Sequence, residues 1–381
     1  MRIAFDAKRA YQNTTGLGNY SRMLIKALAA EYPQHEYYLA APKQTELFTP
    51  TNPNIHIITP TGFNTSMRSM WRSDFVKADL KANNIDIYHG LSNEIPKGIH
   101  TTGIKSVVTI HDLIFERYPK QYAAIDTAIY RYKFRYAAKH ADKVIAISEQ
   151  TKQDLIQYYQ TPKDKIAVCY QSCDPIFEAR KDEAAIAATK AAYGLPGKYF
   201  LYVGSVIERK NLLTICKAMA ELKNRLPVPL VVIGNGGKYL QQVKEYISKE
   251  ELTDRVLFLS EQATAQRPSF KNATDFPAIY QGATALIYPS IYEGFGIPIL
   301  EALWSRLPVI TSNLSCLPET GGDAAYYIDP MSVSEMATAM QKVALDESMR
   351  ATMIDKGLLH AAKFTPEQHA ASVMKVYQSL L

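Results

Sequence analysis

Residues 283–311 read ATALIYPSIYEGFGIPILEALWSRLPVIT. The apolar run Thr284–Tyr288 has the length and the β-branched composition of a buried strand. A loop with two glycines follows, and the next proline fits the first turn of a helix, where a missing N–H costs nothing. A second apolar run, Pro308–Thr311, comes directly after that helix. The segment predicts a strand–loop–helix–strand unit, with Glu293 in the loop and Glu301 about one turn into the helix.

The start of this predicted helix has the chemistry of an anion site. Backbone N–H groups over 294–297 are unpaired at a helix N-terminus, where the dipole favours anions and electron-rich oxygens. Glycines let a ligand approach the backbone closely. Glu293 and Glu301 flank these donors and can accept hydrogen bonds from hydroxyls. The pattern indicates a site for a polyhydroxylated ligand that carries phosphate, whereas the alternative is that both acids are ordinary surface charges.

The spacing from Glu293 to Glu301 resembles the E-x7-E signature of retaining glycosyltransferases of family 4, which have the GT-B fold. Residues 313–319 (NLSCLPE) and 322–325 (GDAA) resemble the same family. Further motifs extend the resemblance over nearly the whole chain. It implies an α/β protein with two Rossmann-like, doubly wound domains that face each other across a cleft, with a nucleotide sugar bound mainly by the second.

Length and element order support this organisation. A chain of 381 residues with 47% hydrophobic content can bury two cores. Strand and helix patterns alternate, as in doubly wound sheets. We expect an N-terminal, acceptor-side Rossmann-like domain at 1–176 and a nucleotide-sugar-binding Rossmann-like domain at 177–364. The resemblance implies that 365–381 form a terminal helix that crosses back to the N-terminal domain.

A second cation-bearing turn follows the predicted strand Tyr199–Val203. Gly204 and Ser205 leave that strand, and Arg209 and Lys210 come just before a predicted helix. Cations at a helix N-terminus are unfavourable because they oppose the helix dipole, so their presence here indicates a function such as anion binding. A planar guanidinium beside a compact ammonium suits a diphosphate. The resemblance implies that these cations neutralise the leaving nucleoside diphosphate.

Two other glycine turns are candidate donor contacts. Gly16-Leu17-Gly18-Asn19 lies between the first predicted strand and a predicted helix at Tyr20–Ala30, but it is not the dinucleotide G-x-G-x-x-G pattern. The resemblance implies that this loop closes over the donor phosphate or faces the acceptor; otherwise it is a tight turn. The resemblance also implies that the 234–237 loop, which contains Asn235, borders the nucleobase. Residues 261–277 depart from the family pattern, which leaves base recognition open.

Two histidines follow predicted strands of the N-terminal half. Ligands of parallel sheets gather at the carboxyl ends of strands, where both His89 and His111 are expected. His111-Asp112-Leu113 resembles a family pattern in which the histidine lies beside the donor sugar. We therefore select His111 as the site residue and keep His89 as a weaker second.

The resemblance assigns catalytic roles to Glu293, His111, Arg209 and Lys210. Glu293 would hold sugar hydroxyls and Glu301 ribose hydroxyls. The arginine–lysine pair makes a metal unnecessary, so we expect neither a metal nor any cofactor besides the nucleotide-sugar donor. The expected donor contacts are Gly16, Gly18, Gly204, Ser205, Arg209, Lys210, Asn235, Gly294, Phe295, Gly296, Ile297 and Glu301.

Charge is unevenly distributed. Residues 1–175 contain 22 Lys+Arg and 16 Asp+Glu, and the whole chain contains 43 and 37, so the remainder has 21 of each. The basic half, with a predicted basic and aromatic helix at Tyr122–His140, either attracts anionic lipid headgroups or has ordinary surface charge with snorkelling cations. Peripheral membrane association is thus one expectation. Nucleic acid is not expected, because no arginine-rich run is interleaved with aromatic residues.

The sequence predicts a cytoplasmic protein. It contains no stretch of 18 consecutive apolar residues, and it begins with a strand pattern rather than a signal sequence. Its four cysteines form no CxxC pair, which favours buried, reduced thiols. A location at the inner face of the cytoplasmic membrane stays open beside a purely cytoplasmic one.

The predicted activity is retaining transfer of a hexose from a nucleotide sugar. The motifs resemble those of bacterial mannosyl- and rhamnosyltransferases of surface polysaccharide assembly, which favours GDP-mannose as donor and a saccharide or lipid-linked saccharide as acceptor. Two alternatives stay open: another GT-B enzyme such as a nucleotide-sugar epimerase, and a non-catalytic nucleotide-sugar-binding subunit.

Overall fold

The computed structural model describes the backbone of residues 1–381 and every side chain except that of Phe63. The described chain separates into two compact units. The first unit contains Met1–Ser172 and Phe364–Leu381, and the second contains Cys173–Lys363. The first unit thus ends four residues before the expected boundary at 176. The predicted cleft between the domains stays a prediction.

The first unit is built on a parallel sheet with the strand order β3-β2-β1-β4-β5-β6-β7. Its strands are β1 (Arg2–Asp6), β2 (Glu36–Ala40), β3 (Ile55–Ile58), β4 (Ile87–Gly90), β5 (Lys105–Ile110), β6 (Lys143–Ala146) and β7 (Ile166–Val168). Its helices are α1 (Lys8–Gln12), α2 (Gly16–Glu31), α3 (Arg68–Met70), α4 (Val76–Ala82), α5 (Ile114–Arg117), α6 (Ala124–His140) and α7 (Glu149–Tyr159), and α17 (Pro366–Gln378) joins them from the end of the chain.

The second unit has a parallel sheet with the order β10-β9-β8-β11-β12-β13. Its strands are β8 (Phe200–Val203), β9 (Leu230–Ile233), β10 (Val256–Phe258), β11 (Ala285–Tyr288), β12 (Val309–Ser312) and β13 (Tyr326–Ile328). Its helices are α8 (Glu183–Tyr193), α9 (Leu212–Glu221), α10 (Lys238–Lys249), α11 (Pro268–Lys271), α12 (Phe276–Gln281), α13 (Ile297–Trp304), α14 (Leu317–Gly321), α15 (Val333–Leu345) and α16 (Glu347–Ala361).

The strand order places candidate sites at defined points of each sheet. In the second unit the chain moves outward from β8 to β10 and then returns to add β11 on the other side of β8. Ligands of open parallel sheets bind at the carboxyl ends of strands where the strand order reverses in this way. Arg209 and Lys210 follow β8, and Glu293 follows β11. The sheet therefore brings the two loops with the candidate residues to one point.

Several boundaries differ from the expectations. Gly16 is the first residue of α2 rather than part of a loop. Asn13, two residues before the N-cap Thr15, supports this helix start, because its Oδ1 accepts hydrogen bonds from the N–H groups of Thr15 (2.9 Å) and Gly18 (3.1 Å). His89 lies within β4 instead of after it, since the pairing with β5 continues to Gly90. A π-helical turn at Trp71–Phe75 separates α3 from α4.

The unusual segment over 261–277 is folded onto α8. Phe270 packs against the ring of Tyr193, with ring centroids 5.7 Å apart, and against Phe276 at 5.2 Å. Tyr193 donates a hydrogen bond to Asp275 Oδ2 at 2.6 Å, and the guanidinium of Arg267 lies 5.5 Å from the same ring. An aromatic cluster thus fixes this segment in the second unit.

The terminal helix α17 packs inside the first unit. The hydroxyl of Tyr377 lies 2.6 Å from His89 Nδ1, and the ring of His369 lies 5.2 Å from that of Tyr20. His89, His369 and Tyr377 are buried. None of the helices in the described residues combines the length and the apolar composition that crossing a bilayer requires.

Replacing Gly234 by alanine should destabilise the second unit. Gly234 has φ +154°, and an added Cβ would lie 1.8 Å from the carbonyl oxygen of Gly204. Backbone strain and overpacking together should cost about 3 kcal/mol or more. Gly197→Ala is the control, because a Cβ there meets open space, and it should change stability by no more than about 0.5 kcal/mol. Urea denaturation measures both variants, and equal midpoints would show that the contact between Gly234 and Gly204 is not tight.

Candidate functional site

The turn after β8 is locked by an asparagine that the sequence motifs did not single out. A 3₁₀ turn, Glu208–Lys210, is followed by Asn211 in a left-handed conformation, with φ +58°. Asn211 Nδ2 donates to the carbonyl oxygen of Pro330 at 2.6 Å, and Thr214 Oγ1 donates to Asn211 Oδ1 at 2.8 Å. Asparagine tolerates this backbone conformation. Its side chain therefore fixes the turn that carries the cations.

The candidate cations and Glu293 form one cluster, which we call the ion cluster. Arg209 Nη1 and Lys210 Nζ lie 2.9 Å and 3.1 Å from Glu293 Oε1. Arg209 also donates to the carbonyl oxygen of Tyr292. Lys210 Nζ donates to the hydroxyl of Tyr288 at 2.7 Å, and that hydroxyl donates to Glu293 Oε1 at 3.1 Å. Tyr288, at the end of β11, is a site residue that was not predicted from the sequence.

Glu293 is charged in this cluster. Burial by itself would raise the pKa of its carboxyl group, but the charges of Lys210 and Arg209 outweigh that effect and lower the pKa to about 2. Arg209 and Glu293 are each 9% exposed. One carboxylate faces two cations, so the ion cluster has a net positive charge that an anion can balance.

The loop of Glu293 is held from its other side by the segment over 313–320. Ser315 Oγ accepts from the N–H of Glu293 at 3.2 Å and donates to its carbonyl oxygen at 2.9 Å. Cys316 Sγ donates to the same oxygen at 3.1 Å, and Thr320 Oγ1 donates to the carbonyl oxygen of Phe295 at 2.5 Å. The NLSCLPE motif therefore positions the loop instead of supplying reactive groups.

Backbone donors complete the second-unit site. Within the described residues, the N–H groups of Gly294, Gly296 and Ile297 have no hydrogen-bond acceptor. Gly296 precedes α13 with φ +105°, and a Cβ there would lie 2.9 Å from Leu317 Cδ2. The dipole of α13 adds partial positive charge at the same place. These donors lie in the loop that bears Glu293 and favour a bound anion.

Glu301 lies in a different environment from Glu293. It is partly buried in α13 and accepts a hydrogen bond from the hydroxyl of Tyr280 at 2.7 Å. Burial raises the pKa of its carboxyl group to about 7, and the charge of Asp174 adds to this, against the opposing effects of Tyr280 and Lys210. Glu301 is therefore poised to exchange its proton near neutral pH.

Two glycine loops adjoin the cations. The N–H of Gly204 donates to the carbonyl oxygen of Ile233 at 2.9 Å, which joins the exits of β8 and β9. A Cβ on Gly204 would lie 3.1 Å from Lys210 Nζ. Ser205 and Asn235 are exposed beside these turns. Gly204 thus leaves room for the lysine side chain, and both polar residues are accessible to a ligand.

The first unit places His111 in a buried network. Its Nε2 lies 2.9 Å from the carbonyl oxygen of Leu91, which can only accept, so Nε2 is the protonated nitrogen. The ring of Tyr20 meets the imidazole edge-on, with centroids 4.6 Å apart. Burial lowers the pKa of His111 to about 4. The imidazole is therefore neutral at neutral pH, and its Nδ1 has a lone pair that can accept a hydrogen bond.

His89, Gly16 and Gly18 also lie in the first unit, and the contacts of His89 and Gly18 indicate structural roles. His89 Nε2 lies 2.8 Å from Thr109 Oγ1, and burial lowers its pKa to about 3. The N–H of Gly18 already donates to Asn13 and Thr15, and a Cβ there would lie 1.8 Å from the carbonyl oxygen of Asn13. Gly18 thus permits close packing within the helix start. Gly16 is exposed at the first position of α2.

Comparisons with known proteins identify the family. Residues 14–175 match the family described as Glycosyltransferase Family 4, and residues 188–360 match Glycosyl transferases group 1. This chain is a glycosyltransferase with one domain from each of these families. The predicted enzyme class is thereby confirmed, as is the fold class of two parallel-sheet Rossmann-like domains.

Curated relatives and a solved structure agree with this family. The glycosyltransferase is 27% identical over 300 residues to O-antigen chain mannosyltransferase B of Escherichia coli, a match that covers 77% of this chain and 74% of the relative. It is 27% identical over 236 residues to O-antigen chain mannosyltransferase RfbU of Salmonella typhimurium, a match that covers 62% of this chain and 60% of the relative. Anabaena HepE, crystallised with UDP and glucose, superposes with a TM-score of 0.72 over all of both chains at 16% identity, which supports the shared fold.

Glu301→Gln should change the pH dependence of stability. A glutamate ordinarily has a pKa near 4.5, and that of Glu301 is about 7, so the folded protein holds a proton that the unfolded chain releases between these values. The free energy of unfolding of the wild type should therefore fall as pH rises through this window. The glutamine variant lacks this contribution and should gain stability relative to the wild type over the same window.

Melting curves over this pH range test the expectation for Glu301. Glu245→Gln, at an exposed position of α10, is the matched control and should follow the wild type. Parallel curves for wild type and Glu301→Gln would contradict the raised pKa.

Proposed function

We propose that this glycosyltransferase transfers mannose, with retention of configuration, from GDP-mannose to a saccharide or lipid-linked saccharide in surface polysaccharide synthesis. The observation that carries the proposal is the ion cluster beside unpaired backbone donors. A buried arginine and a lysine share one carboxylate there, which leaves a positive charge at the carboxyl ends of β8 and β11. This arrangement suits a leaving nucleoside diphosphate.

Stabilisation of the leaving group would be electrostatic. Arg209 and Lys210 would take diphosphate oxygens, with further hydrogen bonds from the backbone at Gly294, Gly296 and Ile297. Charge develops on the diphosphate as the glycosidic bond breaks, so these fixed donors bind the transition state more strongly than the ground state. Removal of a single donor of this kind typically costs about 3 kcal/mol of barrier.

Glu293 would change partners during donor binding. In the free protein its carboxylate pairs with Arg209 and Lys210 and is their counter-ion. A bound diphosphate would take over this role, which would leave Glu293 able to accept hydrogen bonds from sugar hydroxyls. Glu301 would accept the ribose hydroxyls. In the first unit, the Nδ1 lone pair of neutral His111 would accept a hydrogen bond from a donor-sugar hydroxyl.

The choice of donor is a proposal that rests on relatives. The relatives named above are O-antigen chain mannosyltransferases, which supports a mannosyl donor and a saccharide acceptor. HepE was crystallised with UDP and glucose, so the shared fold alone is compatible with uridine as well. We also propose that the reaction needs no metal, since Arg209 and Lys210 can neutralise the diphosphate, and that the enzyme acts in the cytoplasm on the inner side of the membrane.

Lys210→Ala should abolish nucleoside diphosphate binding. GDP at about 100 times its dissociation constant should stabilise the wild type by about 2.7 kcal/mol, and the variant should lose this effect. Thermal shift with a panel of nucleoside diphosphates measures it, with Lys217→Ala, an exposed lysine of α9, as the control. If UDP stabilises the wild type and GDP does not, the diphosphate site stands and the donor is wrong. If no nucleotide stabilises it, the proposed site fails.

Glu293→Gln should separate binding from turnover. The variant should lower kcat about 100-fold or more, by analogy with loss of a transition-state contact. Its affinity for free GDP should be equal to or higher than that of the wild type, because a buried negative charge beside the diphosphate site is removed. Loss of the counter-ion should also destabilise the free variant by about 3 kcal/mol, and GDP should restore part of that loss.

Transfer to a saccharide acceptor and GDP titration provide the measurements for Glu293→Gln. Glu208→Gln, which changes an exposed acid in the turn beside Arg209, is the control. A variant with unchanged kcat would contradict the role of Glu293. A sugar-nucleotide isomer formed without acceptor would indicate an epimerase, and absence of turnover by the wild type would favour a binding subunit.

A further inference from the structure

Helix α6 of the first unit has two apolar faces. One is its core side, where Thr127, Phe134, Ala137 and Ala138 are buried. The other points away from the core, because Ile125 and Phe134 are nine residues apart and therefore lie about 180° apart on a helix of 3.6 residues per turn. An ordinary surface helix has only the first of these faces.

The outward face consists of large exposed side chains. Ile125 is 75% exposed, Ile129 45% and Tyr132 56%. These residues follow each other at intervals of four and three, so they form one continuous stripe along the helix. We call Ile125, Ile129 and Tyr132 the outer stripe. Single exposed apolar residues are normal on proteins, but a continuous apolar stripe on the face opposite the core indicates a surface that binds another protein or a membrane.

Cations border the outer stripe. Arg131, Arg135 and Lys139 succeed each other at intervals of four and lie along one edge of it. Arg131 is paired with Glu116, whereas Arg135 and Lys139 are exposed. Over residues 117–143 the sequence contains seven Lys+Arg and two Asp+Glu. A shallow groove between stripe and cations is lined by Ala128, Arg131, Tyr132, Arg135, Tyr136 and Lys139.

We propose that the outer stripe and its cations form a docking surface for a bilayer that contains anionic lipid. The isoleucines and Tyr132 would enter the interface between headgroups and acyl chains, and Arg135 and Lys139 would meet headgroup phosphates. A helix of 17 residues is about 25 Å long, which is enough to lie in the plane of the interface. This inference deepens the proposed location at the membrane and rests on that part of the proposed function, but it does not depend on the sugar donor.

The same features disfavour a second copy of the chain as the occupant. An antiparallel two-fold contact through this face would place the cation edge of one copy near that of the other, and like charges in an interface are repulsive. The outer stripe also offers few side chains, whereas stable protein interfaces bury more than about 1,000 Å². An anionic bilayer matches both the charge and the narrow shape of the surface.

Vesicle sedimentation tests the proposal with the full chain. The wild type should bind vesicles of phosphatidylglycerol and phosphatidylcholine, and it should bind pure phosphatidylcholine much more weakly. Ile125→Ser/Ile129→Ser should weaken binding about tenfold or more. Each charge removed in Arg135→Gln/Lys139→Gln should weaken it about fivefold, and added salt should reduce this difference.

Matched controls lie in the second unit. Leu359→Ser removes an aliphatic side chain that is 75% exposed, as Ile125 is, and Lys217→Gln/Lys249→Gln removes two exposed cations. Both controls should bind vesicles as the wild type does, and melting temperatures should show that every variant is folded. The proposal is overturned if the wild type ignores anionic vesicles, if the isoleucine variant binds as well as Leu359→Ser, or if ultracentrifugation reveals a dimer that Ile125→Ser/Ile129→Ser dissociates.

Discussion

The shared contact of Arg209 and Lys210 with the carboxylate of Glu293 is the constraint on which the second unit depends. Placing two cations and an acid at about one-tenth exposure is costly unless each finds its partner. The parallel pairing of β8 with β11 brings the two loops together. Asn211 locks the turn of the cations, and the segment after β12 locks the loop of the acid. The ion cluster is thus pre-organised before any ligand arrives.

The two acids of the E-x7-E spacing illustrate how environment divides one residue type into two roles. Two adjacent cations lower the pKa of Glu293 to about 2, so it stays ionised. Burial without a directly bonded cation raises the pKa of Glu301 to about 7. One acid therefore stays ionised and is the counter-ion of the two cations in the free protein, and the other can gain or lose a proton near neutral pH. In the proposed site, Glu293 would accept hydrogen bonds from sugar hydroxyls after the diphosphate takes over its cations, and Glu301 would accept those of the ribose hydroxyls.

Much of this organisation could be predicted from the sequence. The strand–loop–helix–strand unit around Glu293 follows from hydrophobic runs and glycine placement, and the misplaced charge of Arg209 and Lys210 marks the anion site. What could not be predicted depends on contacts that are distant along the chain. Tyr288 and Tyr280 have the sequence context of core residues, yet their hydroxyls hold the two acids. The side chain of Asn13 accepts hydrogen bonds from the N–H groups of Thr15 and Gly18 and supports the start of α2, so a segment with the composition of a loop is helical.

The most direct test of the role of the ion cluster is a crystal structure with a bound nucleoside diphosphate. We predict diphosphate oxygens within hydrogen-bond distance of Lys210 Nζ and the Arg209 guanidinium, with the backbone N–H groups that precede α13 directed at the same group. We also predict that Glu293 releases at least one cation on binding. A diphosphate bound elsewhere, with the ion cluster of Arg209, Lys210 and Glu293 unchanged, would contradict this role.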